Sequence, residues 1–125
     1  MNWLLLEAVY AIHEIELAEH GGAPGIRNAG LIESALARAQ NKAAYGNPSI
    51  DDLAAAYLFC FAKNHGFVDG NKRIAFLTAD MFLRRNGYEI DATQPEIIAL
   101  VLSVASGEID EGFASRWIRK HRRRL

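Results

Sequence analysis

From Trp3 to Glu19 the apolar residues Leu5, Val9, Ile12 and Ile15 recur at steps of three and four, with Glu7, Glu14 and Glu16 between them. That spacing lays an apolar stripe along one side of a helix and a charged stripe along the other. Gly21-Gly22 ends the pattern, and a loop through Pro24-Gly25 leads to Asn28. Asn28 is a predicted N-cap, because its side-chain oxygen can accept from a free N–H of the first turn. The second helix then carries Leu31, Ala35, Leu36 and Ala39 and ends near the turn Gly46-Asn47-Pro48.

Ser49 and Asp52 form a capping-box-like start with an acidic partner shorter than the usual Glu, launching a helix over Leu53–Lys63. This helix is apolar nearly all round, as is the next, Arg73–Arg85, with Ile74, Leu77, Met81 and Phe82. Such helices are packed on several sides and belong at the centre of a domain. Asn86-Gly87 stops the second of them. Tyr88–Ile90 is a short extended piece. Thr93, Pro95 and Glu96 start a helix through Ile97, Val101 and Val104 to Gly107. A last helix begins near Asp110, with Phe113 and Trp117 expected to dock it on the core and Ala114 and Ile118 widening its stripe. About six helices and one short extended piece make the fold class all-α, a compact helical bundle. Its 125 residues, half of them apolar, suffice for one domain spanning 1–125 and for a folded core.

Charge narrows the partners. A net charge of −1 gives no overall attraction to nucleic acid or to an anionic membrane, and the one basic cluster runs from Arg116 to Arg124. Cations at a helix C-terminus complement the helix dipole, so no nucleic-acid role is expected for them. A non-enzymatic RNA- or ribosome-binding module using this tail is the competing reading, marked by steeply salt-dependent binding. Cys60, the single cysteine, lies in an apolar run and reads as a small core residue. The N-terminus lacks a basic region ahead of its apolar residues and no apolar run is long enough for a membrane span, so no membrane association and a cytoplasmic location are expected. His13, His20 and His121 show no metal-ligand spacing and read as solvated or helix-terminal residues. Arg27 reads as a surface arginine ahead of a helix.

The candidate chemistry lies between the two most apolar helices, in Asn64-His65-Gly66-Phe67-Val68-Asp69-Gly70-Asn71-Lys72-Arg73. A helix that begins near Asn71 offers unpaired N–H groups and the positive end of its dipole to an anion, and Gly70 lets a phosphate approach the backbone. Around that point stand an imidazole able to take a proton, a carboxylate able to hold magnesium, and two cations for phosphate oxygens. Phe67 fits as the apolar anchor of the loop. These are the parts of a phosphoryl-transfer site.

His65-x-Phe67-x-Asp69-Gly70-Asn71-Lys72-Arg73 resembles the signature of the Fic superfamily in its Doc (death-on-curing) variant. Gly25-Ile26-Arg27 and the run from Gly30 to Ala37 also resemble the N-terminal segment of Doc proteins. Most Fic enzymes read H-P-F-x-D/E-G-N-G-R-x-x-R and attach AMP to hydroxyl side chains. Here Gly66 replaces the proline, Lys72 the second glycine, and Phe76 the final arginine. A lysine in that cradle adds bulk, and loss of the arginine removes a forked phosphate contact, so AMP transfer becomes the alternative. The Doc resemblance implies a toxin of a type II toxin–antitoxin system that holds ATP the other way round. It implies γ-phosphate transfer to a threonine of elongation factor Tu, arresting translation. By the same resemblance His65 is the base, Asp69 the magnesium ligand, and Gly70, Asn71, Lys72 and Arg73 the nucleotide- and phosphate-binding group, with ATP and Mg2+ as cofactors. Many Fic proteins carry an inhibitory S/T-x-x-x-E-G/N motif. The nearest stretch, Gly107 to Gly112, has Glu111-Gly112 but a glycine at the Ser/Thr position. Restraint is therefore expected from a separately encoded antitoxin whose disordered tail folds onto the toxin.

Overall fold

A computed structural model describes residues 1–125. Six helices, α1 (Leu6–His20), α2 (Ala29–Ala44), α3 (Ile50–Asn64), α4 (Asn71–Arg85), α5 (Gln94–Ser106) and α6 (Glu111–His121), are joined by two three-residue strands, β1 (Tyr88–Ile90) and β2 (Arg122–Arg124). Four of the six helix starts, those of α2, α3, α5 and α6, follow the capping chemistry. Asn28 Oδ1 accepts from the Leu31 N–H at 3.2 Å. Ser49 Oγ accepts from the Asp52 N–H while Asp52 Oδ2 accepts from the Ser49 N–H, so the short acid closes the box as a glutamate would. Thr93 and Glu96 make the same reciprocal pair, and Asp110 caps α6.

The all-round apolar character of α3 is explained by its neighbours, for it packs on α2, α4, α5 and α6. Every residue from Leu53 to Leu58 is buried. Buried Ala54, Ala55, Ala56 and Ala62 let adjacent helices come close, and Tyr57, Phe61, Phe82, Ile74 and Leu83 fill the space between. Trp3 closes this core from the N-terminal side, stacking on Phe82 with 5.7 Å between ring centres. One cluster of buried apolar residues takes members from all six helices. Because α3 and α4 form its middle, the segment that joins them is held at one end of a rigid base.

Several expectations need correction. Ile15 and Leu5 are more than half exposed, and α1 buries Val9, Ile12 and His13 instead. Phe113 does not dock α6; it is 45% exposed under the Arg116 guanidinium, while Ala114, Ser115 and Ile118 make the buried face. Arg122–Arg124 leaves the helix and pairs antiparallel with β1, Arg122 opposite Ile90 and Arg124 opposite Tyr88. No helix is long and apolar enough to cross a membrane.

Candidate active site

The α3–α4 connection begins with backbone strain. His65 follows α3 in the left-handed region (φ 51°), the single non-glycine residue with positive φ, and its side chain is exposed. The bend turns the chain sharply out of the helix, and Arg27 secures it: Nε donates to the His65 carbonyl at 2.6 Å and Nη2 to the Asn64 carbonyl at 3.1 Å. Arg27 thus caps the C-terminal carbonyls of α3, a structural part that its surface position in the sequence did not reveal. The neighbouring segment runs alongside the loop. Ile26 pairs with Phe67, the Val68 N–H donates to the Gly25 carbonyl, and the Arg27 and Asn28 N–H groups both donate to the Gly66 carbonyl. These contacts join the two stretches that carry the Doc resemblance.

Phe67 is buried and anchors the loop as expected. His13 stacks on one face of its ring, 3.8 Å between ring centres, and Tyr10 meets it edge-on. Asn71 holds the same residue by its backbone, since Oδ1 accepts the Phe67 N–H at 3.0 Å and Nδ2 donates to the Phe67 carbonyl at 2.9 Å. The Asn71 side chain therefore shapes the loop and does not reach outward. What it offers a phosphate is its backbone N–H at the start of α4. The first donation within this helix comes from the Ile74 N–H to the Gly70 carbonyl, which leaves the N–H groups of Asn71, Lys72 and Arg73 for an anion. Gly70 sits at φ 82°, where a side chain is strained, and it turns the chain into that helix.

Asp69 lies just before the turn with an exposed carboxylate. The Gly70 N–H reaches Oδ1 at 2.8 Å and the Ala23 N–H reaches Oδ2 at 3.2 Å. These two donors, with Arg73 and His13 nearby, hold the carboxyl below the usual carboxylate range, so it is ionised at neutral pH. An ionised hard oxygen donor beside a helix start with free N–H groups suits magnesium, which takes one or two carboxylates and fills its remaining positions with phosphate oxygens and water. Lys72 is exposed, while Arg73 is partly covered and directs Nη2 toward the Gly21 carbonyl at 3.4 Å. The structure thus brings His65, Phe67, Asp69, Gly70, Asn71, Lys72 and Arg73 to one end of the bundle.

His13 was not expected here. It is 5% exposed, and its Nε2 lies 2.9 Å from the Asp69 carbonyl. Its place on α1, four residues after Val9 and three after Tyr10, was the available signal, because a position on the apolar face is unusual for a solvated histidine. His20 is exposed beside Glu16 and Glu19, and His121 stacks on Trp117 and faces Glu96. Cys60 is partly buried and burial pushes its thiol up, away from the reactive thiolate. Glu111 turns to α2, where Arg38 and Lys42 bind its two oxygens.

The profile described as the Fic/DOC family matches residues 3–83, which include the whole loop. The chain is 34% identical over 121 residues to the protein kinase doc of Escherichia phage P1, covering 96% of this chain and 95% of that protein. It is 44% identical over 75 residues to the toxin Doc of Mycolicibacterium smegmatis, covering 58% of this chain and 57% of that protein. With a family match across most of its length, a near full-length Doc relative and an all-α fold that presents the signature loop at one end, the chain belongs to the Fic/Doc family, in its Doc branch.

Proposed function

We propose that this protein is a Doc-type toxin kinase that transfers the γ-phosphate of ATP to a protein hydroxyl, with a threonine of elongation factor Tu as target and arrest of translation as the result. The observation that supports the reading is the start of α4, where the N–H groups of Asn71, Lys72 and Arg73 have no helix partner and the Arg73 guanidinium and an ionised Asp69 stand nearby. His65, exposed on its strained bend, takes the proton of the target hydroxyl as the oxygen attacks the γ-phosphorus. The bond from that phosphorus to the β-bridging oxygen breaks, and ADP leaves. Backbone N–H groups, Lys72 and Arg73 neutralise the charge on the equatorial and leaving oxygens. Bound through Asp69, magnesium supplies further charge neutralisation on the phosphates.

Restraint by a separately encoded antitoxin belongs to the same proposal. A groove of about 390 Å³ runs between the end of α1, the start of α4 and α5, with Lys72 and Arg73 at one end. Phe76, Leu77, Ile97 and Val101 line it, and Ile98 and Leu102 at its edge are about half exposed. An antitoxin helix laid there would bury these apolar groups and cover both cations. The tail-based RNA reading finds less support: Arg122 faces Asp51, Arg123 faces Glu89 and Asp91, and Arg124 faces Tyr88, so these charges are engaged within the fold.

The test is incubation with elongation factor Tu and ATP labelled separately at the α- and γ-phosphate. The γ-label is expected to transfer, while α-label on the target would establish AMP transfer instead. Lys72→Gly probes the departure that separates the two: it reopens the cradle and removes a cation, so γ-transfer should fall by about tenfold or more. Full γ-transfer in that variant would end the Doc-specific mechanism.

A further inference from the structure

His13 lies outside the signature loop, on α1, yet its side chain hydrogen-bonds the loop's backbone at Asp69. Its ring is buried between Phe67, on which it stacks, and Gly70, where an added Cβ would stand 3.6 Å from Nε2. The one polar partner of Nε2 is the Asp69 carbonyl at 2.9 Å. A carbonyl only accepts, so Nε2 carries the hydrogen. The same peptide unit presents its other end, the Gly70 N–H, to Asp69 Oδ1 at 2.8 Å. A continuous chain results: imidazole N–H to carbonyl, then through the peptide to its N–H and the carboxylate.

We infer that His13 is a positioning residue for magnesium-bound nucleotide: it sets the orientation of the Asp69–Gly70 peptide, and through that peptide aims the Asp69 carboxylate. The inference rests on the reading of Asp69 as the magnesium ligand. Orientation needs fixing here because Gly70, at φ 82°, adopts either sign of φ without steric penalty, so this peptide has a rotational freedom that a residue with a side chain would deny it. Rotated, it would turn its carbonyl toward the carboxylate and repel it from the position that the Gly70 N–H now fixes. The His13 hydrogen bond selects the orientation in which the N–H faces the carboxylate. Its ring contributes a second constraint by clamping Phe67, but the aiming of Asp69 requires the donor.

The experiment measures the affinity of a non-hydrolysable ATP analogue by calorimetry, with magnesium and with the metal chelated, in folded chains verified by circular dichroism. Asp69→Ala serves as the benchmark that removes the gain from magnesium. His13→Phe and His13→Met both remove the donor, the first keeping an aromatic ring against Phe67 and the second not needing a ring to fit. Each should lower the magnesium-dependent gain by on the order of tenfold, as loss of a group behind a metal ligand does, with metal-free affinity unchanged. His13→Gln, whose amide N–H reaches about as far as Nε2, should restore most of the gain. An undiminished gain in the donor-free variants, with Asp69→Ala impaired, overturns the inference alone. So does an equal loss with and without magnesium, or failure of His13→Gln to restore. A full gain in Asp69→Ala overturns the reading of the site and this inference with it.

Discussion

A Cβ built on Gly66 would lie 2.5 Å from Cγ1 of Ile32, a fully buried side chain in the first turn of α2. Position 66 has no room for a side chain because α2 packs directly against the loop there. Gly66→Ala should therefore destabilise the fold by about 1–3 kcal/mol, the usual range for overpacking. Ile32→Ala should cancel part of that loss, and denaturant unfolding of the two single variants and the double one reads the coupling. His65 poses the opposite case, a residue whose backbone is strained and whose ring makes no hydrogen bond within the chain. Both His65→Ala and His65→Gly should lower transfer by about 10²–10⁴-fold, the contribution of a general base. Their stabilities should differ, with the glycine variant ahead by about 1 kcal/mol because it relieves the left-handed strain. Undiminished transfer in either variant would remove His65 from the base role, and equal stability would show that the bend costs nothing.

Among the elements, α3 has the most demanding start, since its capping box also receives α6. Ser115 Oγ donates to Asp52 Oδ1 at 2.6 Å, and Ser49 closes on the other oxygen. The Ser115 hydroxyl first, then the Ser49 N–H, hold the Asp52 carboxyl below its ordinary value. A carboxyl depressed in the folded state contributes stability that is fully present above its unfolded pKa and is lost as pH falls through the folded one. Urea midpoints of the native chain should thus fall on acidification below about pH 4, the ordinary carboxylate range. Asp52→Asn should start from a lower midpoint at neutral pH and lose less in the same interval. An identical acid limb in the two proteins would mean that the cap does not titrate with folding. The box is local in sequence, but its third partner comes from a helix that begins far down the chain.

At the scale of the whole molecule, the C-terminal strand closes the bundle. Arg122 Nε lies 2.5 Å from Oδ1 of Asp51, whose side chain is 3% exposed, and the guanidinium covers the Tyr88 ring at 4.5 Å. Removing one member of such a pair leaves a buried charge without its partner. Arg122→Ala should cost about 3 kcal/mol and lower the melting temperature by roughly 10 °C, read by calorimetry. Arg119→Ala, at an exposed position on α6, should change stability by about 0.5 kcal/mol or less. Equal effects would show that the basic tail acts only through its net charge.

What was legible in the sequence was what depends on neighbours along the chain. Asn28, Ser49, Thr93 and Asp110 announced their helices because capping is satisfied within one turn, and the apolar runs of α3 and α4 announced a centre because only a multiply packed helix has no polar side. The order His65, Phe67, Asp69, Gly70 through Arg73 carried the candidate site for the same reason: the loop is one continuous segment. Tertiary structure alone decided the rest. It placed His13 behind Asp69 and Arg27 under the His65 carbonyl, across separations that no periodicity reports. It also turned Arg122–Arg124 from an expected solvated helix end into a strand, because Tyr88–Ile90 lay beside it with backbone groups to pair and Asp51, Glu89 and Asp91 stood ready for its charges. A run of like charges specifies no conformation by itself; the opposite charges that settle it are brought together only when the chain has folded.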